Sequence, residues 1–126
     1  RPHSADRQEY STHLLGHWVR DQQIMPLEEA VYRLTGKTAL MHDLADRGFI
    51  APGKAADITI FDPDTIAPKP RRPVNTLPGG GMQVERGAVG ISHVIVNGSI
   101  VAKDGELTGA LPGEIVRGPL YRAGRA

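Results

Sequence analysis

The sequence predicts an α+β chain with its helices first and its β-hairpins after. Three observations lead there. Apolar residues recur at helical spacing from Asp6 to about Leu44, the period switches to two from Gly48 onward, and HVIVNGSIVAKDG carries the clearest hairpin signal in the chain. Helices segregated from hairpins describe an α+β domain, or two pieces of a larger architecture.

The first element opens at Asp6. Glu9 follows three residues later, the spacing of a capping box, in which each side chain satisfies a free amide of the first turn. Tyr10, Leu14, Leu15, Trp18 and Val19 then form an apolar stripe. That stripe places His13 and His17 toward the polar side, away from Leu14, Leu15 and Trp18. Asp21, Gln22 and Gln23 close the helix. Pro26 opens the next one, where its missing N–H is harmless. Leu27, Ala30, Val31 and Leu34 repeat at i, i+3, i+4 and i+7, with Glu28 and Glu29 in the first turn, where the helix dipole favours negative charge. Gly36 ends this helix, and a short helical turn follows over Thr38 to Met41. Two amphipathic helices need a shared surface to pack on, and this part alone is too small to supply one.

The second part is β-prone. Ile58, Thr59, Ile60 and Phe61 lie between Pro52-Gly53 and Asp62-Pro63, with Ile58 and Ile60 expected to be buried. PKPRRPVNTLPGGGM, rich in Pro and Gly, reads as an exposed loop. The runs His93 to Val96 and Ser99 to Ala102 flank Asn97-Gly98, a favoured pair for a two-residue turn in which both positions need positive φ. Asp104-Gly105 marks a further turn, and Gly113 to Val116 a last short strand.

Composition narrows the function classes. The 126 residues include 15 basic and 14 acidic side chains with no run of like charge, so neither nucleic acid nor a membrane surface is favoured as partner. No apolar run approaches the roughly 18–20 residues that span a bilayer. There is no cysteine, hence neither a disulfide framework nor a thiolate metal site, and a reducing, cytoplasmic location is expected. The chain opens RPHSADRQEY, without an initiator Met, and reads as part of something longer.

The sharpest chemical motif is HLLGH. His13 and His17, four apart on a helix, could share a zinc ion. In the protease motif H-E-x-x-H the first His is followed by a glutamate base, but here Leu14 stands in that place. No neighbouring carboxylate or third His completes a site, so two helix-surface histidines are the stronger reading. Ser11 and Ser92 lack a nucleophile elbow. Gly79-Gly80-Gly81 precedes no helix and reads as a flexible loop. Asp57, Asp62 and Asp64 lack the glycine and distal glutamate of a calcium loop, and read as strand-end and turn carboxylates. Arg71-Arg72 is loop charge, and His93 a sheet-surface residue.

A resemblance adds what spacing cannot. LEEAVYRLTGKTALMHDLADRGFIAPGKAADITIFDPDTI, from Leu27, resembles the C-terminal signature of the amidohydrolase superfamily, an L-E-E-A-V-x-x-L-T helix before D-R-G-x-I-x-x-G-x-x-A-D-I-x-x-F-D. STHLLGHWVRD, HVIVNG and LTGALPGEIVRG resemble its N-acyl-D-amino-acid deacylase branch. The resemblance runs over nearly all of Ser11 to Gly118. It implies the terminal helices of a (β/α)8 barrel over residues 1–48, with Leu27, Ala30, Val31 and Leu34 packing on it. Residues 49–126 would be the C-terminal share of a small β-sandwich. Asp46-Arg47-Gly48 would turn the chain from one to the other, and Asp57 would be structural at a strand entrance.

The resemblance also implies a zinc-dependent parent that hydrolyses the amide of N-acyl-D-amino acids. The family's H-x-H pair is absent here and its last-strand aspartate is not recognisable. Asp6 has no preceding strand to put it in that role. The chain by itself is therefore expected to be inactive and to carry no metal. Ser11 and His13 would line the substrate pocket of the parent only. The missing barrel portion would be its partner, and its exposed apolar faces would otherwise drive self-association. A hydantoinase-like or dihydroorotase-like parent, and an independent non-catalytic β-rich module for binding or assembly, stay open beside this reading.

Overall fold

The computed structural model describes residues 10–118, so the Asp6–Glu9 capping box lies outside the described residues. Tyr10–His13 is α-helical (α1) and Leu14–Asp21 continues the same rod as a π-helix (π1). Thr12, Leu15, Gly16 and Val19 are its buried face. Tyr10 and Trp18, expected on that face, are 68% and 42% exposed. The wider π turn advances each residue by a smaller angle than an α turn, so the stripe drawn at α spacing drifts off the core and carries Trp18 outward.

Leu27–Leu34 (α2) starts after Pro26, as expected, and buries Ala30 completely. Thr35 then leaves helical geometry, and Gly36–Met41 forms α3. Gly36 thus opens a helix instead of ending one. Its missing Cβ matters for another reason, because a Cβ there would stand 2.6 Å from the Phe49 ring.

Beyond the helices Ile58–Phe61 (β1), Ala67–Pro68 (β2), Arg72–Leu77 (β3), Gly81–Glu85 (β4), Ala88–Val89 (β5), Ile91–Val96 (β6), Ser99–Lys103 (β7) and Glu106–Leu107 (β8) follow. β1, β6, β7 and β8 form one antiparallel sheet in that spatial order, while β2 pairs with β5 and β3 with β4. The expected turns are present with the expected chemistry. Asn97 and Gly98 have φ of 45° and 78°, and Asp104 and Gly105 have 50° and 87°.

Three expectations fail here. The Pro- and Gly-rich stretch after Pro68 is a hairpin, β3 against β4, with only Pro78–Gly80 as its tip. A two-stranded ribbon consists of edges alone, so Pro73 is tolerated where a central strand would reject it. Residues 113–116 form no strand. Ile60 is 47% exposed, whereas Ile58 is half-buried.

The core is small and joins both halves of the chain. Leu15, Val19, Ala30 and Ile66 are buried together, with Leu14, Met25, Leu27, Val31, Leu34, Phe61 and Ile91 packed partly against them. Contact between the rod and the turn at Ile66 is backbone-close: a Cβ at Gly16 would overlap the Ile66 carbonyl oxygen. Arg20 Nη1 donates to that same oxygen at 2.8 Å and to Asp64 O at 3.3 Å.

Gly16→Ala is therefore expected to push the rod off this turn and destabilise the chain by about 1–3 kcal/mol, the usual cost of overpacking. Gly113→Ala, which meets nothing within 4 Å, should change stability by less than about 0.5 kcal/mol. Urea unfolding of both variants beside the parent sequence measures the difference.

Candidate functional site

Two surfaces hold the residues with chemical potential. The first is the outward face of the α1–π1 rod. His13 is exposed and His17 half-buried, with ring centroids 4.9 Å apart and planes 15° from parallel. Trp18 stands edge-on to His17 at 4.8 Å and to His13 at 6.2 Å. The sequence separates the histidines from Trp18; the π turn brings the three rings together.

The second surface is a cleft of about 770 Å³ between the inner face of the rod, α2 and β1. Ser11 and Thr12 supply its polar rim at the rod end. Val31 and Tyr32 of α2, Phe49 and Ile50 of the connection, and Ile58 and Phe61 of β1 make its walls apolar. Tyr32, Phe49 and Ile50 are 40%, 44% and 85% exposed, a concentration of unburied apolar surface in one concavity. Ser11 therefore faces the cleft while His13 lies with His17 and Trp18, so the two candidate pocket residues do not share one surface within this chain.

The carboxylates are structural. Asp57, before β1, accepts from the Asn97 N–H at 2.8 Å through Oδ1 and pairs with Arg47 Nε at 3.3 Å through Oδ2. The Gly98 N–H donates to Ala56 O at 3.0 Å beside it. One side chain thus ties the helix-to-sheet connection to the β6–β7 turn. Gly48, with φ of 85°, folds the connection so closely onto α3 that a Cβ would stand 2.6 Å from the Cβ of Ala39. Asp62 closes the turn after β1: Oδ1 accepts from the Asp64 N–H at 2.9 Å, and Oδ2 from Thr65 Oγ1 at 2.9 Å. Neither carboxylate is presented for catalysis. His93 sits half-buried mid-sheet, opposite Ile60 and Lys103. Sequence reasoning gave Asp57 its place at a strand entrance; its partner Arg47 could have been read from the D-R-G motif only with the topology in hand.

A hydrolytic zinc ion needs three protein ligands and an open position. His13 and His17 supply two, and among the described residues no three His, Asp or Glu side chains converge to hold a metal. These residues do not fit such a centre, and no hydrolytic step follows from them.

Comparison with known proteins places the chain. The family model described as "Amidohydrolase family" matches residues 1–102. A D-aminoacylase of Alcaligenes xylosoxydans xylosoxydans is 39% identical over 103 residues, which is 82% of this chain and 19% of that protein. The crystal structure of a D-aminoacylase, described as defining a novel subset of amidohydrolases, superposes with a TM-score of 0.63 at 39% identity, covering 79% of this chain and 19% of that one. The N-acyl-D-glutamate deacylase of Bordetella bronchiseptica, solved with zinc and a phosphonate mimic of the tetrahedral intermediate, superposes at 0.57 with 37% identity over 76% of this chain and 19% of its own. The chain thus spans about a fifth of the length of the curated relatives it matches.

Asp57→Ala removes both the ion pair and the hydrogen bond, and is expected to cost about 1–2 kcal/mol. Asp57→Asn keeps an acceptor for the Asn97 N–H and should cost less. A double-mutant cycle with Arg47→Ala, read by denaturant unfolding, isolates the ion pair, whose partly exposed setting points to about 1 kcal/mol or below.

Proposed function

Since the chain belongs to the amidohydrolase family, we propose that it is the C-terminal share of a metal-dependent amidohydrolase that cleaves the amide bond of N-acyl-D-amino acids. The observation that carries this reading is the match over residues 1–102 combined with 39% identity to a D-aminoacylase. Residues 1–48 are then the last helices of a (β/α)8 barrel, and residues 49–126 its share of a β-sandwich. The apolar cleft supports this assignment. Its walls are the expected barrel-packing positions of α2 together with Phe49 and Ile50, surface that a neighbouring element would cover.

In this reading the zinc ion and its ligands belong to the rest of the protein. When bound, the metal polarises the scissile carbonyl and acidifies a water. This chain's part is to hold the helical rod and the sheet at a fixed angle and to close one side of the barrel. Ser11, on the cleft side of the rod, is its contribution to the substrate pocket, whereas His13 stands with His17 and Trp18 and is not part of it. Two of the relatives are named for particular amino acids, D-glutamate and D-aspartate.

The longer protein containing this chain is expected to release free D-amino acid from N-acetyl-D-amino acids and not to open hydantoins or dihydroorotate. A chelator should stop it and zinc restore it. The isolated chain should release none, and zinc-dependent hydrolysis by the chain alone overturns the proposal. Ile50→Glu provides a second check. At 85% exposure it should shift the stability of the isolated chain by less than about 0.5 kcal/mol. The same substitution should abolish reconstitution of activity when the chain is co-expressed with the remainder of the enzyme.

A further inference from the structure

The aromatic face of the first rod is used neither by the core nor by the cleft. His13 and His17 have ring contacts with each other and with Trp18, and among the described residues no hydrogen bond or ion pair engages their ring nitrogens. We propose that His13 and His17 form a two-ligand site for a late divalent transition metal, copper(II) above all.

The geometry carries this. A metal–imidazole bond of about 2.0–2.1 Å puts the ring centroid roughly 3.2 Å from the ion, so two rings at adjacent coordination positions have centroids roughly 4.5–5.2 Å apart. The pair already stands at 4.9 Å. The rings lie nearly parallel, and ligation requires each to rotate until its plane passes through the ion. That rotation involves one exposed ring, His13, and one half-buried ring, His17, which lies against Trp18. Water completes the coordination. Imidazole suits copper, nickel and zinc, and affinity among divalent ions peaks at copper. A pair lacking a third protein ligand therefore holds copper best and zinc more weakly. Because the ligands straddle the junction of α1 and π1, an occupied site staples that junction.

Trp18 is the chain's single tryptophan and touches His17, so its emission reports occupancy. The test uses the full 126-residue chain with the other three histidines, His3, His42 and His93, replaced by Gln. Titration with copper(II) chloride is expected to give saturable, one-to-one quenching of Trp18 at micromolar metal. EPR should show two nitrogen ligands, and the thermal midpoint should rise. His13→Ala and His17→Ala should each weaken binding at least about tenfold, since a chelate needs both arms. His17→Gln repeats the second test with a bulkier side chain at this half-buried position. Non-saturable quenching, unchanged affinity in either single variant, or a single nitrogen ligand overturns the proposal.

Discussion

The rest of the structure depends on how closely the first helical rod seats against the turn at Asp62–Ile66. That approach needs three things at once. Gly16 removes the side chain that would collide with the Ile66 carbonyl, Arg20 supplies donors to the carbonyls of Asp64 and Ile66, and Ile66 buries its own side chain among Leu15, Val19 and Ala30. Ile66 is the one large side chain among the described residues that is fully buried. Packed backbone against backbone, the Ile66 carbonyl would lose its water, and the Arg20 guanidinium restores the hydrogen bond that burial would otherwise make costly.

A second fastening lies at the other end of the cleft. Arg47, Asp57 and the Asn97 amide form a short chain of charge and hydrogen bond between the helix-to-sheet connection and the β6–β7 turn. With Gly48 folding the connection onto Ala39, the two fastenings hold helices and sheet apart at a set angle, and the cleft is the space between them. The arrangement explains why the core is small while the cleft walls are apolar. The side chains that a self-contained core would turn inward, Tyr32, Phe49 and Ile50, instead remain exposed on the wall of the cleft.

Much of this was legible residue by residue. Helix α2 announces itself through Pro26, Glu28, Glu29 and the spacing of Leu27, Ala30, Val31 and Leu34, because local caps and period are properties of contiguous sequence. Asn97-Gly98 and Asp104-Gly105 are likewise local, since their turns demand positive φ and few residues adopt it. The β3–β4 ribbon was not legible. Its prolines argue against a strand, and only the pairing of Arg72 with Glu85 and of Val74 with Gln83 shows that a ribbon made of edges accepts them. The opposite error occurred at residues 113–116, where β-prone residues find no partner strand.

The candidate surfaces divide along the same line. Contiguous sequence sufficed for the order of helices and hairpins and for the two hairpin turns, and the resemblance carried by L-E-E-A-V-x-x-L-T and D-R-G-x-I-x-x-G-x-x-A-D-I-x-x-F-D supplied the family and the structural place of Asp57. All of these depend on short-range preferences or on a pattern carried in one stretch of chain. Tertiary structure alone decided which way the first rod faces. A helical wheel assumes one angle per residue, and π geometry over Leu14–Asp21 changes it, taking Trp18 out of the core and setting it against His17. It also decided that Gly16 and Gly36 serve close packing, because the groups that need the space, the Ile66 carbonyl and the Phe49 ring, come from residues distant in sequence.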